Sequence, residues 1–258
     1  MKTHIGGLAA AILLALAANS LAAKPYHDFL LKDGRSFRGR IVAYDHHTDI
    51  VKIVRVDKRL IETSPSVFDE ADQLRIKEWH IVRCFHSTKL FRVRAERQIV
   101  RAEKWQPFRG DIGGSSGGSS RGLRNTYYDI IVENSSSIPF QNMTVEYQMH
   151  YRCGKTPGVK YGRFMVSKLE PKSNKKMRTA EYIPSSFKPK DAGLFWSPGS
   201  GSKMVPKGIW IRIMLPLSND RKEVREYCLP SNLSKHHKWT KKDVPYTAEV
   251  GDQAATQN

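Results

Sequence analysis

Apolar and polar residues alternate in short runs along most of this chain. In the first third the runs fall at 29–31, 36–44, 50–56 and 60–63, separated by the polar turns Asp33-Gly34, Asp45-His46-His47-Thr48-Asp49 and Lys58-Arg59. A period of two puts successive side chains on opposite faces of a strand, so these runs read as strands, with Val51 and Ile53 sharing one face. Strands this short and closely spaced predict a small barrel or sandwich. The period then changes. Over 69–79, Ala71, Leu74 and Trp79 fall at helical spacing and are expected to form the buried side, with Ile76 beside them; Asp69 is a preferred N-cap and Asp72 puts a carboxylate in the first turn, where it is favoured. One short helix is expected there.

The basic stretch 89–105 carries Phe91, Val93, Ile99 and Val100 between its cations and reads as a strand that opens a second domain. Residues 110–122 are dominated by Gly and Ser; such a run buries no apolar area and is expected to be flexible. Strand patterns return at 127–133, 143–151, 161–169, 175–182, 209–215 and 223–228, with 143–151 the cleanest alternation. Without a strong helical pattern among them, they predict an antiparallel β-sandwich of the immunoglobulin or fibronectin kind. Residues 183–207, rich in Pro, Gly and Ser, are expected to form an elaborated loop. The expected architecture is therefore mainly β. A small barrel with a short helix covers 26–80, a sandwich covers 81–230, and 231–258 is a basic tail that becomes disordered past about residue 245.

The amino terminus follows a third pattern. Lys2 and His4 precede an uncharged apolar run over 5–18, and Ser20-Leu21-Ala22 supplies small residues at its exit. Those are the three parts of a secretory signal peptide, here residues 1–22, with cleavage expected after Ala22 or one residue later. The run is shorter than the roughly 20 residues that span a bilayer. No later segment is long and apolar enough, so a mature chain without a transmembrane segment is expected, periplasmic or secreted to the exterior.

Lys and Arg outnumber Asp and Glu by 43 to 25, a net charge of +18. A charge this far from zero favours anionic partners, whether acidic proteins, glycans, lipid headgroups or nucleic acid, and it also keeps a protein soluble. Three cysteines are present, Cys84, Cys153 and Cys228. An odd count leaves at least one unpaired. Cys153 and Cys228 each follow a strand-like run, so they are the expected pair if an oxidising exterior forms a disulfide.

Within the first third, three stretches go together: Leu31-Lys32-Asp33-Gly34-Arg35-Ser36-Phe37-Arg38-Gly39-Arg40-Ile41, then Val51-Lys52-Ile53, then Pro65-Ser66-Val67-Phe68-Asp69-Glu70-Ala71-Asp72-Gln73-Leu74-Arg75-Ile76-Lys77-Glu78-Trp79. On these, residues 28–79 resemble the SLA homology domain 1 family, and the last stretch, which looks like the family's closing signature, is the most specific. The resemblance implies a small barrel of the Src-homology-3 kind that binds peptides; the family's fungal endocytic adaptors bind Asn-Pro-Phe-x-Asp segments. Bacterial exported proteins also carry the domain, often beside a β-sandwich. Two features depart from the family. Tyr26-His27-Asp28-Phe29 replaces its aromatic-centred opening strand, and Asp57-Lys58 replaces a hairpin glycine. An exported chain does not meet a cytoplasmic adaptor's targets, so the resemblance implies peptide or protein recognition without that motif.

Two sets of cations are candidate binding residues. Arg35, Arg38, Arg40, Lys52 and Arg55 could line a positive surface for an acidic peptide at a groove or sheet edge; they also suit ordinary solvated strand positions. Arg92, Arg94, Arg97, Arg101 and Lys104, with Lys235, Lys238, Lys241 and Lys242, could bind an anionic envelope polymer, with Trp105 and Trp239 adding stacking. For catalysis, Ser197-Pro198-Gly199-Ser200-Gly201 lacks the nucleophile-elbow spacing, and no paired carboxylates stand out. A hydrolase assembled from residues distant in sequence is a third reading; the favoured one is non-enzymatic. His80, Cys84 and His86 match no common zinc spacing, so neither a metal nor a cofactor is expected.

Overall fold

The computed structural model describes residues 26–101, 124–180, 183–184, 186–187 and 202–240. They form a mainly β, antiparallel protein that divides into two compact units, Met1–His80 and Ile81–Asn258. The expected signal peptide, the Gly/Ser run and the end of the tail lie outside the described residues.

In the first unit, β1 (His27–Leu30), β2 (Ser36–Asp45), β3 (Ile50–Arg55) and β4 (Leu60–Thr63) make an antiparallel meander in that order. A 3-10 turn, Pro65–Val67, then returns the chain to the first strand, where Phe68 bridges Leu31. The Lys32 amide donates to the Val67 carbonyl at 3.0 Å and the Asp69 amide to the Leu30 carbonyl at 3.0 Å. This short junction curls the meander into a partly closed barrel. Alternation fills it: Phe29, Ile41, Val51, Ile53 and Phe68 are buried, together with Ile76 of α1 (Glu70–His86).

The start of α1 obeys its sequence. The Asp69 side chain accepts from the Asp72 amide at 2.8 Å. The buried Asp72 carboxylate accepts from the Leu30 amide at 2.7 Å and from Arg75 Nη1 at 2.9 Å, and it bonds His27 Nε2 at 3.0 Å. Gln73 Nε2 donates to the Phe68 carbonyl at 2.9 Å. Asp69, Asp72 and Gln73 thus fasten the helix to β1 and to the segment that closes the barrel.

The described residues of the second unit form a sandwich of seven main strands with two short additions. One sheet sets β6 (Arg124–Asn134) between β5 (Phe91–Arg101) and β9 (Ser173–Arg178), with β10 (Ile183–Pro184) also on β6. The other runs β13 (Lys222–Leu229), β12 (Ser202–Pro216), β7 (Phe140–Cys153), β8 (Thr156–Leu169), with β11 (Ser186–Phe187) on β12. Lettered in chain order as A, B, C, C′, E, F and G, the main strands form sheets A-B-E and C′-C-F-G, the Greek-key arrangement of immunoglobulin-type and fibronectin-type sandwiches. Their inner faces meet in one apolar cluster that includes Ile130, Val132, Val145, Tyr147, Phe164 and Ile211. Tyr147 lies across Gly162, its register partner on β8, and its phenol oxygen accepts from the Ala180 amide at 3.1 Å. The buried Asn134 amide donates to the carbonyls of Ile138, Leu169 and Glu170, joining two turns at one end.

Four expectations need correction. The helix continues to His86 instead of ending at 79, and its buried side is centred on Ile76, leaving Ala71 and Leu74 exposed. His80, Arg83 and His86 mask its stripe, but Cys84 and Phe85 are core residues of the second unit, and Arg225 Nη1 donates to the Phe85 carbonyl at 2.6 Å. Residues 183–207 are not all loop, because β10 and β11 lie within them and β12 begins at Ser202, pairing first with β11 and from Met204 on with the end of β7. The disulfide between Cys153 and Cys228 is excluded. Cys153 is the register partner of Met204 and Cys228 that of Trp210, on opposite flanks of β12. At about 3.3 Å per residue and about 4.8 Å per strand they stand about 20 Å apart, against a limit of about 7 Å between bonded Cα atoms, and no disulfide joins any of the three cysteines. Finally, residues 231–240 fold back as part of the unit. They include the short helix α2 (Leu233–His236), whose Leu233 is buried.

Candidate functional site

The first unit carries an open groove of about 650 Å³. Phe37 of β2, Ile61 of β4, Val67 of the 3-10 turn and Phe68 supply apolar lining, while Lys32, Asp33, Arg35 and Arg55 supply charge. The floor is an aromatic cluster, with Phe37 5.6 Å from Phe29 and 6.1 Å from Phe68 between ring centroids. Val67 is 39% exposed. The Arg55 guanidinium lies 5.9 Å over the Phe37 ring and 3.7 Å from Asp57. Arg35 pairs with Asp33 at 2.7 Å, and its hydrogen bond holds the Asp33 carboxyl below the usual range. β4, which contributes Ile61 and Thr63, pairs only with β3 among the described strands, so a sheet edge runs beside the groove.

The structure splits the five cations expected to act together. Arg35 and Arg55 line the groove. Arg55 is the register partner of Gly39, on the face that holds Phe37 and Ile53. Arg38, Arg40 and Lys52 lie on the opposite, outward face. Arg38 is 4.0 Å from Asp28, Lys52 bonds its cross-strand neighbour Glu62 at 2.7 Å, and Arg40 lies 6.0 Å over the Tyr26 ring. The separation follows from the period of two, because residues 52 and 55 of one strand face opposite ways. Extending the Val51 and Ile53 alternation by one step would have put Arg55 on the inner face. The lining residues Phe37, Ile61, Val67 and Phe68 have no comparable signal, since apolar strand positions ordinarily read as core.

The second set of cations is dispersed, and two of its described members are matched: Arg92 and Arg94 share Glu133 at 3.8 and 3.6 Å. On the same sheet but outside that set, Lys176 and Arg178 share Asp129 at 3.0 and 2.9 Å. Burial alone would raise the Asp129 carboxyl, but the hydrogen bonds and charges of Arg178 and Lys176 outweigh it and hold it below the usual range. Arg97, opposite Tyr128, is on the other face of β5 from Arg92 and Arg94. Arg101 ends β5. Lys104, Trp105, Lys241 and Lys242 lie outside the described residues. Lys235 and Lys238 are exposed, but Trp239 is not available for stacking on a ligand: Arg212 lies 4.3 Å over its ring, and Trp210 meets it edge-on at 5.7 Å.

Among the described residues no three His, Cys, Asp or Glu side chains converge to hold a metal. His80 packs edge-on against Tyr44, and His86 bonds Glu223 at 2.9 Å. Burial pushes the Cys84 thiol up, away from nucleophilic activation. No described helix is long and apolar enough to cross a membrane.

Fold and groove together describe a mainly β protein in which a small partly closed barrel precedes a Greek-key sandwich. No family model matches the chain and no curated protein matches it. The resemblance to the SLA homology domain 1 family therefore rests on the residues quoted above.

Proposed function

We propose that this chain is an exported, non-enzymatic recognition protein whose first unit takes an extended peptide or protein segment in the groove. The carrying observation is the groove's make-up, an apolar lining in which Val67 is exposed and Phe37 and Ile61 are half-buried, beside the edge strand β4 and with more cations than carboxylates at its rim. A strand edge gives an extended segment main-chain hydrogen bonds, and alternate pockets take its side chains. Lys32, Arg35 and Arg55 outnumber Asp33, which favours a segment bearing an acidic residue. The resemblance to a peptide-binding family and the signal-peptide pattern support the same reading. Binding of anionic polymers along β5 is less favoured, because Glu133 and Asp129 each hold two of the cations that face would offer.

Immobilised acidic peptides with interspersed apolar residues, screened with the full chain, should include binders. Arg55→Glu and Val67→Asp should each weaken the best of them at least ~10-fold, about 1.4 kcal/mol. Binding that survives both substitutions overturns the reading.

A further inference from the structure

On the outer face of the sheet that holds β7 and β12, β7 presents Gln148 and His150, and β12 presents Trp210 and Arg212. Both Gln148 and His150 are only 1% exposed, because residues 233–240 lie over them. The Gln148 side chain is bound as a neighbouring strand would be, with Nε2 donating to the Thr240 carbonyl at 2.6 Å and Oε1 accepting from the Thr240 amide at 3.5 Å. Trp239 fits between Arg212 and Trp210. His237 lies on His150, centroids 4.3 Å apart. Neither ring nitrogen of His150 has a hydrogen-bond partner among the described residues. A buried polar group left this way is rare and costly, and a proton on it would be costlier still.

We infer that residues 233–240 are a latch over the outer face of β7 and β12, and that the latch opens when His150 takes up a proton. Among the described residues the surroundings offer that proton no counter-charge. The titratable and charged residues that register or sequence places near His150 on this face are Arg152 on β7, Tyr161 on β8 and Lys207 at the bulge of β12, with His236, His237 and Lys238 on the latch. Glu146 and Glu226, the carboxylates of the face, are each held by an arginine, Arg163 and Arg212. Burial and the neighbouring His237 accordingly hold the His150 imidazole down at about 4 from its ordinary 6.5. Burial, with His236 and Lys207, lowers His237 as well. A pKa depressed in the shut form means that closure is complete above about 6.5 and weakens as pH falls toward about 4, the closing equilibrium constant dropping about tenfold by pH 5.5. Beneath the latch, Tyr147, Met149 and Ile211 point into the sandwich core, so the sheet does not depend on its cover.

The test is a pH titration of the full chain by NMR from 7.5 to 4.5, following the Trp239 indole and the 233–240 amides against core amides such as Val132 and Ile211. The latch signals should move to solvent-exposed positions in step with His150 protonation while the core signals hold. His150→Gln should abolish that transition. Trp239→Ala should open the latch at pH 7.5 and return His150 to an ordinary titration, which serves if the glutamine variant folds poorly. A latch that stays shut after His150 has titrated, an opening unchanged in His150→Gln, or core signals lost together with the latch would each overturn the inference.

Discussion

In the groove of the first unit Arg55 lies over Phe37; on the outer face of the sheet of β7 and β12 Arg212 lies over Trp239. Both arginines also meet a carboxylate, Asp57 in one case and Glu226 in the other. In the groove the aromatic partner belongs to the next strand, and the surface above it stays open. On the sandwich the aromatic partner arrives on residues 231–240, and the surface is shut by the chain itself. An arginine on an aromatic ring therefore does not distinguish a recognition surface from an internal seam. What distinguishes them is whether the ring is part of the sheet or part of a segment laid upon it.

If the two surfaces are built separately, each should be breakable alone, and the largest break is expected at Gly162. A Cβ there would lie 2.0 Å from the Tyr147 hydroxyl oxygen and 2.1 Å from Cζ. Tyr147 is 1% exposed and cannot swing out. Overpacking of a core costs about 1–3 kcal/mol and loss of the bond from the Ala180 amide about 1 more, so Gly162→Ala should destabilise the second unit by ~3 kcal/mol. Differential scanning calorimetry should show its transition lowered while peptide binding in the groove at 25 °C is unchanged. Groove binding that falls in step would end the separation.

Asp72 is the reciprocal test. Asp72→Ala strips the charged acceptor from the Leu30 amide and from Arg75. Hydrogen bonds to a charged group contribute about 1.5–3 kcal/mol, and ~2 kcal/mol is expected in urea titrations of the first unit. Groove affinity should fall, because Phe68 is placed by the segment that Asp72 and Gln73 fasten. The Trp239 signals should not move.

These elements were not equally legible. Val51 and Ile53, Asp69 at the helix start, and the alternation over 143–151 were visible because each is set by local period or capping. The end of α1 was not, since the burial of Cys84 and Phe85 comes from strands far along the chain. The tail reads as solvated because Lys235, His236, His237 and Lys238 outnumber Leu233 and Trp239; its burial depends on Gln148 and Trp210, 92 residues from Thr240 in the case of Gln148. The cysteine pairing failed for the same reason, register across three strands being invisible in composition. Arg35, Arg38, Arg40, Lys52 and Arg55 were grouped by charge, although strand period already divides Lys52 from Arg55.

That division yields the smallest expected effect and the sharpest control. Arg38 and Lys52 face outward, more than 40% exposed, in pairs with Asp28 and Glu62. Exposed pairs contribute about 0–1 kcal/mol each, so Arg38→Glu with Lys52→Glu should leave the first unit folded by circular dichroism. Two reversals of two charges each take the net charge from +18 to +14, which weakens long-range attraction for an acidic peptide. At 0.15 M salt the screening length is about 8 Å, so charges on the outward face should alter affinity by less than ~3-fold, with a larger loss at low salt. Arg55→Glu, on the groove side, should cost at least ~10-fold under the same conditions. If the double reversal at 0.15 M salt matches Arg55→Glu, the peptide sits on the convex face, and the open groove is no more a recognition surface than the face beneath the latch.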